Sequence, residues 1–334
     1  ARIVLRQQDV DLGILETARG GLLRRGLGVM KADAALITNV AEDHLGDFGS
    51  QNLGELLNVK WIVSRAVETS GSLILNADDE LLVAKSAEFP GVIVWFTLNP
   101  DNPTVKEHTR NGGLAFVLDG DSLLRVDGDS IEEICKSAEI PIALDGVASH
   151  NIANALAAAA LTHCLGIPMS DIHEGLTSMS QDNNPGRSNV YSISDFKVLV
   201  DFAHNPHAMK ALFNMAHALP AKRRLLAFAQ AGDRTDESIR ELARSAWSIG
   251  LDKVVVSELE AYARGRSRGE VFGIIRDELI NCGARKDQIQ HFMEETESLD
   301  AALDWAQPGD LIIMLALSDR EAIQDKLKSL SSPR

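Results

Sequence analysis

Short apolar runs alternate with helix-patterned segments along almost the whole chain, and this alternation leaves few architectures open. Runs at 12–15, 34–37, 72–75 and 92–96 are nearly uninterrupted in apolar residues. Such runs predict strands buried on both faces. Residues 53–67 carry Leu56, Leu57, Val59, Trp61, Ile62 and Val63 at helical spacing, which predicts a helix with a wide apolar face. Strands separated by helices argue for βαβ units around a mostly parallel sheet.

The pattern changes over 99–140. Asn99-Pro100-Asp101-Asn102-Pro103 is a turn cluster. Segments 114–118 and 122–126 flank Asp119-Gly120-Asp121, and Asp-Gly between alternating apolar residues predicts a β-hairpin. An Ala-rich helix follows over 151–165, closed by Gly166 and Pro168. A short helix is expected over 171–179. The polar breaker cluster 181–186 then suggests a domain boundary, giving units 1–184 and 185–334. Beyond it the alternation restarts, with strands expected at 198–200, 225–229, 253–256 and 311–315. Helical patterns cover 206–218, 235–249, 269–281 and 298–306.

Composition narrows the function classes. Of 334 residues, 45% are hydrophobic and 24% charged, ordinary for a globular chain with a core. A net charge of −15 argues against nonspecific binding to nucleic acid or an anionic membrane. It suits a cationic ligand, and it suits solubility equally well. Cys135, Cys164 and Cys282 form no C-x-x-C pair, so a zinc or redox site is not expected, and a reduced cytoplasmic setting is the simplest reading. No apolar run approaches the roughly 20 residues of a membrane span. The chain opens Ala-Arg-Ile-Val without Met, which is compatible with a segment preceding it.

Residues suited to chemistry stand where the predicted strands end, the usual place for nucleotide sites in open α/β sheets. Glu16 follows the run at 12–15 and precedes Gly20-Gly21. It can be a hard oxygen donor to Mg²⁺ or simply a capping carboxylate. Thr38-Asn39 ends the next run, with Glu42-Asp43-His44 beyond it. His44 can share a sheet edge with Glu16 or be a loop residue bonded to Asp43. Lys60, between Val59 and Trp61, either snorkels or is a partly buried lysine with altered chemistry. Asp201-Phe202-Ala203-His204-Asn205-Pro206 ends the first strand of the second half. Asp201 there suits ribose hydroxyls, or it caps the helix that Pro206 starts. Gly232-Asp233-Arg234 can hold an anion through Arg234 or begin a helix. No G-x-x-x-x-G-K-[ST] phosphate loop occurs in the sequence.

Taken together and in this order, these segments resemble the Mur ligase family, over about residues 1–317. The resemblance rests on Leu-Glu-Thr-Ala-Arg-Gly-Gly (15–21), Thr-Asn-Val-Ala-Glu-Asp-His-Leu-Gly (38–46) and Ser-His-Asn-Ile-Ala-Asn-Ala-Leu-Ala-Ala (149–158). It continues through Pro-Gly-Arg-Ser-Asn (185–189), Asp-Phe-Ala-His-Asn-Pro (201–206) and Gly-Asp-Arg-Thr-Asp-Glu (232–237). The Glu-Thr-Ala-Arg-Gly-Gly segment points to the cyanophycin synthetase branch. The implied fold is α/β. A Mur-ligase central ATPase-like domain, incomplete at its N-terminal side, carries a mostly parallel sheet and a small antiparallel hairpin region. A Rossmann-like C-terminal domain follows.

The resemblance also implies roles. Glu16 and His44 match the Mg²⁺-binding pair, and Lys60 stands about where the family carries a carbamylated lysine that binds a second Mg²⁺. Asn151 matches the adenine-contacting asparagine, Arg187 the arginine reaching the terminal phosphates, and Asp201 the ribose-binding aspartate, with His204 and Asn205 beside it. The implied chemistry is ATP-dependent amide formation: a carboxylate becomes an acyl phosphate, which an amine displaces. In the cyanophycin branch the amine is arginine and the carboxylate an aspartyl side chain. Glu258 and Glu260 are candidates for the guanidinium of that arginine. The family places a G-x-x-G-K-[ST] loop upstream of Glu16, and this sequence has none. The resemblance therefore implies a ligase portion, ATP-dependent when complete, whose activity by itself does not follow. Another Mur-type amino-acid ligase and a non-catalytic binding or assembly subunit remain open alternatives. A homo-oligomer is compatible with the sequence, and closure about Pro185-Gly186 is expected because the nucleotide residues fall on both sides of it.

Overall fold

The computed structural model describes residues 3–41, 52–203 and 206–331. The chain forms two compact units, Ala1–Met179 and Ser180–Arg334. The break falls ahead of the polar cluster because that cluster is bonded into the second unit. Gln181 Oε1 accepts the Val190 amide at 3.0 Å, and the Gln181 carbonyl accepts Asn189 Nδ2 at 3.3 Å.

The first unit holds α1 (Arg19–Arg25), β1 (Ala32–Ile37), α2 (Leu53–Trp61), β2 (Val67–Asn76), α3 (Glu80–Ser86), β3 (Val92–Thr97) and α4 (Pro103–Arg110). There follow β4 (Leu114–Asp119), β5 (Ser122–Asp127), β6 (Ser130–Lys136), α5 (Ser149–Cys164) and α6 (Met169–Ser178). The sheet runs in order β1-β2-β3-β4-β5-β6. Pairing is parallel through β4 and antiparallel from β4 to β6. Asp119 pairs with Ser122 across a two-residue turn in which Gly120 takes φ +60°, so the hairpin expected from the sequence is present.

Successive parallel crossovers step in one direction. Right-handed connections then place α2, α3 and α4 on one face of the sheet. Alternate strand residues divide accordingly. Leu73, Leu75, Trp95, Ala115 and Val117 pack with Leu56, Leu57 and Trp61 of α2, Leu82 of α3 and Val105 of α4. Ile74, Val94, Phe96 and Phe116 pack with Ile152, Ala155, Leu156 and Ala159 of α5 and with Ile172 and Leu176 of α6. Truncating a fully buried leucine such as Leu156 in such a layer costs about 2–5 kcal/mol.

Two expectations fail here. Residues 12–15 form no strand; Leu12 and Ile14 are exposed. A short apolar run becomes a strand only when a partner satisfies its backbone, and β1 pairs on one side only, with β2, among the described residues. The helix expected over 53–67 ends at Trp61. A 3-10 turn at Ile62–Ala66 leads directly into β2, which begins five residues earlier than the apolar run.

The second unit comprises β7 (Asn189–Ile193), β8 (Phe196–Asp201), α7 (Pro206–Ala218), β9 (Arg224–Phe228), α8 (Asp236–Trp247), β10 (Lys253–Ser257) and α9 (Glu270–Asn281). It ends with β11 (Ile289–Phe292), α10 (Glu295–Trp305), β12 (Leu311–Leu315) and α11 (Arg320–Leu330). Strand order is β11-β10-β9-β12-β8-β7, parallel except for the β7–β8 pair. The path runs outward from β8 to β11 and then returns, so β12 is inserted between β8 and β9. That reversal puts α10 on the face opposite α7, α8 and α9. Leu299 and Ala302 of α10 and Ile323 and Leu327 of α11 bury against Val198, Val200, Ala227, Val255, Ile312 and Met314. Ligands in such sheets sit where the strand order reverses, beyond the carboxyl ends of the strands. Here that place lies beyond β8, β12 and β9. The mostly parallel α/β architecture expected from the sequence is present in both units. No helix among the described residues is long and apolar enough to cross a membrane.

Candidate functional site

In the first unit Glu16 and Lys60, but not Asn151, line one cavity of about 1110 Å³. It lies beside β1 and is lined by Glu16, Arg19 and Gly20, by Ala34, Leu36 and Asn39, by Lys60 of α2 and by Leu161 and Leu165. Glu16 is exposed there. The loop after β1 is fastened by three side chains from other elements. Lys60 Nζ donates to the Asn39 carbonyl at 2.8 Å, Asn76 Nδ2 to the Thr38 carbonyl at 3.0 Å, and the Val40 amide donates to Asp79 Oδ2 at 2.5 Å. Asp79 also caps α3 through the Leu81 and Leu82 amides. His44 lies outside the described residues.

The cavity's donor set suits Mg²⁺ in part. A single carboxylate is a sufficient protein anchor for an ion that keeps most of its water, and Glu16 offers one. Lys60 as an ammonium is a hydrogen-bond donor; only a carbamate on Nζ would turn it into an oxygen ligand. Among the described residues no cluster of three His, Cys, Asp or Glu side chains has metal-binding geometry. Asn151, near the start of α5, is buried, and its Nδ2 donates to the Ile142 carbonyl at 2.7 Å.

In the second unit two motifs far apart in the chain meet. Asp201 ends β8 and is 8% exposed. Its Oδ2 accepts the Ser188 amide at 2.7 Å and the Ser188 hydroxyl at 3.0 Å. Ser188 takes φ +53°, an uncommon conformation for a residue other than glycine, and its two hydrogen bonds to Asp201 hold it there. Asn189, 1% exposed, secures the other side of the turn. Its Oδ1 accepts the Gly186 amide at 2.6 Å, and its Nδ2 donates to the Asn184 and Arg187 carbonyls at 3.1 and 3.3 Å. The Arg187 side chain is thereby presented at the end of β8, exposed, 5.5 Å from the Phe202 ring. His204 and Asn205 lie outside the described residues.

The remaining candidates are engaged within the fold. Arg234 lends its backbone: Arg266 Nη2 donates to its carbonyl at 2.7 Å and Arg266 Nε to that of Gly232 at 2.9 Å. Arg266 also pairs with Asp236 at 2.8 Å and Glu270 at 3.0 Å, and the Asp236 hydrogen bond holds its guanidinium above the usual range. Glu258, expected to be available for a guanidinium, accepts His291 Nε2 at 2.8 Å and the Gly269 amide at 3.1 Å. The His291 ring stacks on Phe272 at 4.0 Å. Glu260 is exposed and pairs with Arg268 at 3.3 Å.

Two residues that sequence reasoning missed shape this edge. Glu295, 1% exposed, accepts the amides of Leu317, Ser318 and Asp319 at 2.8, 2.8 and 2.9 Å. Burial pushes its carboxyl up, against the three amides, which favour the charged form. It fixes the turn that launches α11, whose first residue, Arg320, lies over Phe202. Nothing local marks either residue, because the partners lie 22–24 residues away for Glu295 and just past the end of β8 for Arg320.

Each of the two α/β units carries motif residues at the ends of its parallel strands. Residues 3–162 match the Mur ligase middle domain and residues 186–316 the Mur ligase glutamate ligase domain. The chain belongs to the Mur ligase family. It is similar to the cyanophycin synthetase of Crocosphaera subtropica, 33% identical over 325 residues, which is 97% of this chain and 37% of that protein. The UDP-N-acetylmuramoyl-tripeptide–D-alanyl-D-alanine ligase of Escherichia coli is 25% identical over 78% of the chain. The chain thus spans little more than a third of the cyanophycin synthetases it matches. Among solved structures, E. coli FolC with ADP superposes with a TM-score of 0.64 at 18% identity, covering 90% of this chain and 62% of that one. MurF from Acinetobacter baumannii gives 0.59 at 18%, covering 90% and 60%. At such identities these two show the fold alone.

Proposed function

We propose that this chain is the ligase portion of an ATP-dependent amino-acid ligase that joins arginine to an aspartyl side-chain carboxylate. The observation that carries this is 33% identity to cyanophycin synthetase along 97% of the chain. Bound ATP would supply the phosphoryl group that makes the acceptor carboxylate an acyl phosphate, and Mg²⁺ would neutralise charge as it transfers. Glu16 and His44 would hold the metal, with Lys60 joining them as a carbamate. Asn151 would meet the adenine, and Asp201 the ribose through the oxygen that Ser188 does not use. Arg187 would reach the terminal phosphates. The reaction and substrates described are those of the whole ligase, in the reduced cytoplasm that unpaired cysteines suit.

A second reading has one observation behind it. Glu258 is bonded to His291 and Gly269, so it does not wait for a substrate guanidinium, and Glu260 is exposed with only a solvent-screened pair to Arg268. That favours a Mur-type ligase whose incoming amino acid differs from arginine. ADP formation by the complete ligase, measured with each of the common amino acids and an aspartyl-rich acceptor, separates the readings. Stimulation by arginine above all others supports the first, and by another amino acid the second. No ADP formed with any amino acid would sink both.

A further inference from the structure

Two guanidinium groups share one aromatic ring at the end of β8. Arg320 Cζ lies 3.7 Å from the centre of the Phe202 ring and Arg187 Cζ 5.5 Å from it. The two charges are therefore no further apart than those distances laid end to end. Both side chains are exposed. Neither has a carboxylate partner among the described residues. Several other arginines of this unit are paired with carboxylates: Arg223 with Asp310, Arg244 with Glu237 and Glu278, and Arg266 with Asp236 and Glu270. Two like charges held close repel unless an anion lies between them, and the negative face of Phe202 offsets only part of that.

The placement is built rather than incidental. Gly186, at φ +77°, passes so close to the first turn of α11 that a Cβ there would meet Gln324 Nε2 at 3.1 Å and Arg320 Cδ at 3.8 Å. Asn189 holds the turn that carries Arg187, and Glu295 holds the turn that carries Arg320. Beside them, Asp201 Oδ1 makes no hydrogen bond among the described residues, because both bonds from Ser188 go to Oδ2. An open acceptor for hydroxyl groups next to two planar cations is complementary to a nucleoside phosphate.

We propose that Arg320 is a second phosphate-binding residue, which with Arg187 grips the phosphates of a nucleotide whose ribose reaches Asp201. This rests on the ATP-dependent reading above. Phe202 is the platform that keeps both forks oriented, and each fork can offer paired N–H donors to phosphate oxygens.

Calorimetric titration of the chain with ADP, adenosine and inorganic tripolyphosphate tests the assignment. Arg320→Ala is expected to weaken ADP and tripolyphosphate binding by about tenfold to a hundredfold, the usual worth of a charged hydrogen bond, and to leave adenosine unaffected. Arg320→Lys, which keeps the charge and loses the planar fork, is expected to fall between. ADP affinity in Arg320→Ala within about twofold of the unsubstituted chain would overturn the proposal. If the unsubstituted chain binds neither ADP nor adenosine, the nucleotide reading fails and tripolyphosphate decides. Tripolyphosphate binding that Arg320→Ala loses supports the anion site; binding that it keeps, or no binding at all, overturns it.

Discussion

Asp201 Oδ2 receives both the backbone amide and the hydroxyl of Ser188, at 2.7 and 3.0 Å. One carboxylate oxygen thus holds a left-handed residue in place and fastens the segment before β7 to the end of β8. Asp201→Ala leaves a buried amide unsatisfied and is predicted to lower stability by about 1–3 kcal/mol. Ser188→Gly keeps the amide bond and removes the backbone strain, so its loss should stay below about 1 kcal/mol. Urea unfolding of both variants checks the order; equal losses would show that the hydroxyl, not the turn, carries the effect.

Glu295 gives a pH dependence whose sign is fixed. Its folded carboxyl titrates above the unfolded value because burial disfavours the charge. Between the two values the folded chain binds the extra proton, so stability falls as pH rises through this window. The contribution is fully present below the unfolded range of about 4.3 and is lost through the raised folded pKa. The stability of the wild type minus that of Glu295→Gln should therefore grow as the pH is lowered from neutrality towards that range. A flat difference across thermal melts would contradict this.

Gly232 sits where a Cβ would fall 2.0 Å from the Ala263 carbonyl oxygen, and its own amide donates to the Tyr262 carbonyl at 2.9 Å. The obstacle is backbone, so it cannot rotate away. Gly232→Ala is predicted to cost about 1–3 kcal/mol and to displace the 260–266 loop. A melting temperature unchanged from the parent would refute the close approach.

Lys60 ties the loop after β1 through the Asn39 carbonyl. In the complete ligase, Lys60→Ala is predicted to depress ADP formation by about two orders of magnitude or more, as loss of charge stabilisation in phosphoryl transfer does. If the lysine acts as a carbamate, a short carboxylic acid added to the variant should restore part of the rate. Near-normal turnover in Lys60→Ala would remove it from the mechanism.

Much of this was legible in the sequence. The runs at 34–37, 92–96, 225–229, 253–256 and 311–315 are strands, and helix 206–218 has the bounds its Pro206 start suggests. Apolar periodicity reports burial on a sheet, and these segments have partners on it. It misled at 12–15, where the run is present and no strand partner stands among the described residues. It was silent on β6, whose Ile131 is 66% exposed, and on α11, which buries little beyond Ile323, Gln324 and Leu327. Arg187 and Asp201 stand out in the sequence because each lies in a contiguous motif. Ser188, Glu295 and Arg320 act through contacts that only the folded chain creates.

The central claim is that a nucleotide site surrounds Asp201 and Arg187, and hydrogen–deuterium exchange with and without Mg-ADP tests it most directly. The account predicts slowed exchange in peptides covering 186–189, 201–203 and 316–320, with the outer face of α9 unchanged. Unaltered exchange in all three segments at saturating ADP would contradict it.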